Sequence, residues 1–159
     1  MIAWKFGNDI NTDLITPGRY TFTTNKTELG KIVFIEYRPE FSKGVKTGDF
    51  IVAGKNFGCG SSRETAPVAI KASGISAVIA KSFARIFFRN SINIGLPLLI
   101  CEETDRIDDQ DLVEIDFETG KILDVSKNVI LKSKPLPQFM QKIIRKKGLV
   151  NFLRSDGYV

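Results

Sequence analysis

The stretch 49–65, DFIVAGKNFGCGSSRET, is the part of the chain from which a fold can be read. Phe50, Ile51, Val52 and Ala53 form an apolar run bounded by Gly48 and Gly54, too short for a helix and patterned as a strand buried on both faces. Gly54, Gly58 and Gly60 then mark a tight turn. Pro67 has no amide hydrogen and fits only the first turn of a helix, so the following helix begins at Glu64 or Thr65 and runs to Ala72 or Ser73, with Gly74 closing it. Ser61, Ser62 and Arg63 therefore sit on the turn that enters the helix.

Downstream, 75–80 (ISAVIA) reads as a second buried strand, and 82–93 as a helix carrying Phe83, Ile86, Phe87 and Asn90 on one face before Gly95. Residues 96–101 form another apolar strand. Runs 112–117 and 121–125 flank Glu118-Thr119-Gly120 as a hairpin, 128–131 adds a strand, and 137–154 is a helical tail interrupted at Gly148. Upstream, 2–6 reads as a first strand, 7–13 as a polar turn-rich segment, and 19–25 (RYTFTTN) as an exposed loop in preference to an edge strand. With no repeat and no linker, the expectation is one α/β domain over residues 1–159, a mixed sheet with flanking helices.

At 159 residues, 43% hydrophobic and 26% charged, the chain buries a real core. Lysine plus arginine (23) exceeds aspartate plus glutamate (18), a balance open to an anionic substrate, an acidic partner or nucleic acid. No apolar stretch approaches the roughly 20 residues that span a bilayer, and the start MIAWKFGNDINTD has no signal-peptide pattern; the expectation is a cytoplasmic protein without a membrane segment. Cys59 and Cys101 are the only cysteines and there is no histidine, which excludes a self-contained zinc or iron–sulfur site and any Ser-His-Asp or Cys-His system.

The glycine-rich turn implies a backbone that passes close to a ligand. A helix N-terminus attracts anions through its free amides, and Arg63 adds a planar donor suited to a carboxylate. The competing reading is structural: Ser61 caps the helix, with Ser61-x-x-Glu64 as a capping box, although Pro67 argues for a later start. The spacing matches neither a Walker phosphate loop nor a dinucleotide fingerprint.

The runs 48–64 (GDFIVAGKNFGCGSSRE) and 77–99 (AVIAKSFARIFFRNSINIGLPLL), with Asn11-Thr12-Asp13, closely resemble the small subunits of isopropylmalate isomerase and homoaconitase, which correspond to the swivelling domain of aconitase. The resemblance spans essentially the whole chain. It implies a swivelling-type β/β/α domain, and reversible dehydration of a hydroxy acid in leucine biosynthesis, carried out only with a large iron–sulfur subunit. It also implies that the 4Fe-4S cluster belongs to that partner, with no cofactor or metal bound by this chain. By position, Ser61 resembles the general base that takes a proton from the carbon beside a carboxylate. Ser62 and Arg63 look like substrate-binding neighbours, and Asp13 a support for the site. Lys81 and Arg85 fall in the matching Lys-Ser-Phe-Ala-Arg run, with a solvated helix face or a contact with the large subunit expected rather than chemistry. Thr65 stands where the usual motif has histidine, which leaves Ser61 to Arg63 intact.

Relatives of the homoaconitase type typically carry Tyr-Leu-Arg-Thr where this chain has Tyr20-Thr21-Phe22-Thr23. Phe22 offers apolar contact where arginine would pair with a further carboxylate. Phe22 and Thr23 are thus expected at the variable end of a small dicarboxylate hydroxy acid, favouring isopropylmalate; the alternative is that Phe22 packs into the domain. An RNA-binding role has no RRM, KH or zinc-knuckle pattern to support it. A non-catalytic scaffold is separated from an enzyme by replacing Ser61.

Overall fold

The computed structural model describes residues 1–158. Four strands, β1 (Ala3–Lys5), β2 (Phe50–Ala53), β3 (Ala77–Ala80) and β4 (Leu98–Ile100), form an all-parallel sheet in that order. Phe50 sits between Ala3 and Ala77 in the register. Helices α1 (Thr12–Ile15), α2 (Lys26–Lys31) and α3 (Pro39–Gly44) connect β1 to β2. Helix α4 (Thr65–Ala72) connects β2 to β3, and α5 (Arg85–Asn93) connects β3 to β4. Strands β5 (Val113–Asp116), β6 (Lys121–Asp124) and β7 (Val129–Lys132) form a separate antiparallel sheet, followed by α6 (Gln138–Arg145) and α7 (Leu149–Ser155).

The period-2 alternation of the parallel strands divides the interior into two cores. Ile51, Ala53, Val78 and Ala80 face the helices, packing with Phe34, Phe57, Ala69, Ile70 and Phe87. Phe50, Val52, Ala77 and Ile79 face the antiparallel sheet, packing with Val113, Ile122 and Leu131. The layers are therefore helix, parallel sheet, antiparallel sheet. Burying one Ile or Phe side chain stabilises by about 1.5–3 kcal/mol, against about 0–1 kcal/mol for an exposed ion pair, so this alternation and not the surface charges fixes the stacking.

One buried carboxylate ties β1 into place. Asp49, 3% exposed, accepts hydrogen bonds from the Trp4 indole at 3.2 Å, the Ile2 amide at 3.1 Å and the Lys46 amide at 2.9 Å.

Every strand, the hairpin, the helix after the glycine turn and the broken helical tail lie where the sequence places them. The expected mixture of parallel and antiparallel pairing is divided between two sheets. Two details differ. The helix after β3 begins at Arg85 and not at Ser82, because 82–84 is extended and pairs with the glycine turn: Phe57 N donates to Ser82 O at 3.0 Å and Ala84 N to Phe57 O at 2.9 Å. Its buried residues are accordingly Phe87, Ser91 and Ile92, while Ile86 is 52% exposed and not on the core face. Three helices are not suggested by the sequence: α1, where 7–13 reads as a turn-rich segment, and α2 and α3 within residues 26–44. Gly30 lies inside α2 because a side-chain carbon there would come within 2.8 Å of the Ala72 carbonyl group; it permits α2 to press against the end of α4.

Candidate active site

The glycine turn leaves the carboxyl end of β2, the edge where open parallel sheets bind ligands. Its two flanks are held by neighbouring chain. On one side Asp9 N donates to Lys55 O at 2.8 Å, Gly58 N to Ile10 O at 2.7 Å and Thr12 N to Cys59 O at 2.9 Å. On the other lies the extended segment 82–84. Gly58, at φ +81, sits directly under Phe87: a side-chain carbon would fall 2.1 Å from the ring, so only glycine closes the turn here.

These pairings carry the N-terminal loop and the Ser61–Arg63 turn to one place. Asn11 caps α1, accepting from Leu14 N at 2.9 Å, and so fixes Thr12 and Asp13 in its first turn. Ser61 is exposed, and its hydroxyl lies between two groups: Arg63 Nε donates to Ser61 Oγ at 3.1 Å, and Thr12 Oγ1 is 3.2 Å away. Thr12 Oγ1 also donates to Ser61 O at 2.8 Å. Arg63 is anchored at its other end by donation from Nη1 to Thr16 O at 3.1 Å and an ion pair with Asp13, and it lies against Gly18. Asp13 thus acts on the turn through the guanidinium.

The capping-box reading of Ser61 does not hold. The residue flanking α4 is Glu64, no side chain caps its first turn, and the Ser61 hydroxyl is engaged by Arg63 and Thr12 instead of an amide. α5 likewise starts without a side-chain cap. A cleft of about 300 Å³ opens beside the turn, lined by Thr12, Ser61, Ser62, Arg63, Arg85 and Asn90 among others. Thr12, Arg85 and Asn90 were not among the site residues read from the sequence. Thr12 had a signal, its place in Asn11-Thr12-Asp13, and Arg85 had the Lys-Ser-Phe-Ala-Arg run; Asn90 had none.

Phe22 and Thr23 lie outside this cleft. Phe22 is 87% exposed, so it does not pack into the domain. Thr23 is engaged in its own loop, donating to Glu28 Oε2 at 2.6 Å and accepting from Asn25 N at 3.1 Å.

The model of the aconitase C-terminal domain matches residues 8–103, the segment that holds the site. The 3-isopropylmalate dehydratase small subunit 1 of Archaeoglobus fulgidus is 58% identical over 153 residues, covering 96% of this chain and 95% of its own. The chain belongs to the aconitase C-terminal domain family, among the 3-isopropylmalate dehydratase small subunits. A second such relative, from Methanosarcina acetivorans, is 53% identical over 153 residues, covering 96% of this chain and 94% of its own. The solved structure of 3-isopropylmalate dehydratase (leuD) from Methanocaldococcus jannaschii matches with a TM-score of 0.94 and 49% identity, covering 99% of this chain and 96% of that one. The β/β/α architecture is thus that of a known member.

The residues of this family member do not fit an iron–sulfur cluster. Among the described residues no group of three or more His, Cys, Asp or Glu side chains is placed to hold a metal ion. Cys101 is 1% exposed in the core between the two sheets, and burial pushes its thiol up. Burial, with the Asp9 charge, does the same to Cys59. Neither thiol is disposed to become the thiolate that iron requires. Among the described residues no helix is long and apolar enough to cross a membrane.

Proposed function

We propose that this chain is the small subunit of 3-isopropylmalate dehydratase, a hydro-lyase of leucine biosynthesis that interconverts 2-isopropylmalate and 3-isopropylmalate in the cytoplasm and works only with a large subunit. The observation that carries the reading is the Ser61 hydroxyl held on the rim of a cleft between Arg63 Nε at 3.1 Å and Thr12 Oγ1 at 3.2 Å. The large subunit holds the 4Fe-4S cluster, for which the described residues of this chain offer no ligand set.

In this reading Ser61, as the alkoxide, takes a proton from the carbon beside a substrate carboxylate. The electron pair of that C–H bond becomes the second bond of the alkene, and the neighbouring carbon loses hydroxide. Rehydration in the opposite sense gives the isomer: hydroxide adds to the carbon that lost the proton, the electron pair of the alkene moves to the carbon that lost the hydroxide, and the Ser61 hydroxyl protonates that carbon. A serine hydroxyl is a weak base near neutral pH, so its anion must be stabilised where it forms. Arg63 supplies a donor and a positive charge. Its fork has more N–H groups than its partners Ser61, Thr16 and Asp13 consume, leaving donors for a carboxylate, and Ser62 lines the same cleft. Phe22 and Thr23 stand on a separate loop that meets the substrate's variable end in the assembled enzyme.

The test uses the complex reconstituted with the large subunit and assayed on isopropylmalate, homoaconitate and citrate. Turnover is expected with isopropylmalate, and Ser61→Ala is expected to lower kcat by about 10³-fold or more while the complex still assembles. Full turnover by assembled Ser61→Ala enzyme would reduce this chain to a scaffold.

A further inference from the structure

Neither the sequence motif nor the family match assigns a role to Thr12. It is 2% exposed, at the start of α1, and its main chain is fastened to the glycine turn by the bond from its amide to Cys59 O at 2.9 Å. Its hydroxyl has one proton and two lone pairs. At 2.8 Å from Ser61 O and 3.2 Å from Ser61 Oγ, it meets two oxygens of the same residue. The carbonyl oxygen only accepts, so the Thr12 proton is directed to it. The longer contact then has the Ser61 hydroxyl as donor and a Thr12 lone pair as acceptor.

We infer that Thr12 is a positioning residue whose hydroxyl switches partner during the reaction, accepting from Ser61 when that serine is protonated and donating to it when it is the alkoxide. The inference rests on Ser61 being the base. The switch needs only a rotation about the Thr12 Cβ–Oγ1 bond, which takes the proton from Ser61 O to Ser61 Oγ. No proton is transferred by Thr12, and no heavy atom moves. The bond given up is neutral and the bond gained is to an anion, about twice as strong, so the rotation favours the charged form of the serine. Arg63 Nε occupies a second acceptor direction of the same oxygen, and the two donors together make a preformed anion cradle. Burial matters here: at 2% exposure the threonine hydroxyl is not readily replaced by water if it is removed.

The charged groups at this cleft are Arg63 on the turn, Asp13 on α1 in ion pair with it, and Arg85 from α5. All three are retained when Thr12 is changed, so an altered pH profile reports on the hydroxyl itself.

The experiment compares Thr12→Val, Thr12→Ser and Ser61→Ala with wild type in the reconstituted complex, on isopropylmalate, across pH 6 to 10. Valine keeps the shape and removes the hydroxyl; serine keeps the hydroxyl and removes the methyl. For Thr12→Val, kcat is expected to fall by about 10²-fold. The pH at which the base-dependent limb of the kcat profile rises should move up by about one to two units, with KM little changed. Thr12→Ser should return both the rate and the limb most of the way to wild type. If Ser61→Ala is inactive but Thr12→Val has wild-type rate and profile, the switch is wrong and the base assignment survives. If Thr12→Val slows turnover with the limb unmoved, or Thr12→Ser is as poor as valine, the residue only packs the turn and the inference fails. If Ser61→Ala turns over normally, the base assignment and the switch fail together.

Discussion

Phe22 is 87% exposed, a large ring left in water on a loop whose other side chains are tied down: Thr23 to Glu28, and Arg19 to Glu36. An exposed ring on an ordered loop is what a contact surface for substrate or large subunit presents. A carboxylate pressed against it would lose water without gaining a donor, whereas an isopropyl group would not. The wild-type complex is therefore expected to prefer isopropylmalate to homoaconitate. Phe22→Arg should shift the ratio of their kcat/KM values towards homoaconitate by roughly tenfold to a hundredfold, at some cost in overall rate because the loop is not shaped for a guanidinium. The check is kcat/KM for both substrates at matched iron content; a ratio that does not move removes Phe22 from specificity and leaves the Ser61 turn untouched.

Among the elements, β1 is the one whose start is fastened by a buried carboxylate. It is three residues long, at the edge of the parallel sheet, and Asp49 receives both the Trp4 indole and the Ile2 amide at its start. Asp49→Ala would leave those donors buried without an acceptor, and a loss of about 3 kcal/mol is expected in urea unfolding, with the dependence on urea unchanged. Asp49→Asn, which keeps the shape and an acceptor, should lose less; equal losses would mean that packing and not the hydrogen bonds is responsible. The elements that were legible from sequence share a cause: β2, β3 and β4 are short apolar runs entered shortly after Gly48, Gly74 and Pro97, and α4 is framed by Pro67 and Gly74, all local signals. α2 and α3 were not legible because Gly30 and Pro39 read locally as breakers, while tertiary contact uses Gly30 for close approach and Pro39 as a first helical residue. The site divides the same way. Ser61, Arg63 and Asp13 stand in recognisable motifs, but Thr12 gains its place against Ser61 only through the long-range pairing of Asn11 with Cys59.

At the scale of the whole molecule, stability should be level near neutral pH and fall in acid. The chain has no histidine, and burial moves both thiols up, away from neutrality. The carboxylates decide the acid side. Asp105 is held below the usual range by its hydrogen bond from Lys81. Burial works to raise Asp109, but Arg38 and the Lys5 amide outweigh it; burial is outweighed in the same way at Asp111 by Lys127 and the Asp108 amide. Asp116 is lowered by the Thr119 hydroxyl and the amides of its turn. A carboxyl whose folded pKa lies below its unfolded value of about 3.9 contributes stability that is complete above that value and is lost as pH falls through the folded one. Asp124 has the opposite sign: burial first, then its bond with Asp111, raises it, so its protonation favours the fold. Four groups are set against one, and protonating the acids leaves the 23 lysines and arginines to repel one another, which adds in the same direction. The Tm is therefore expected to be flat from about pH 5 to 7 and to drop below about pH 4. Asp109→Asn should lower Tm at neutral pH and flatten the acid limb, because Arg38, which also stacks 5.0 Å over Trp4, then keeps only Glu40 of its two charged partners at every pH. A Tm that rises on acidification would reverse the sign assigned to the group of carboxylates, and an Asp109→Asn limb as steep as wild type would take Asp109 out of it.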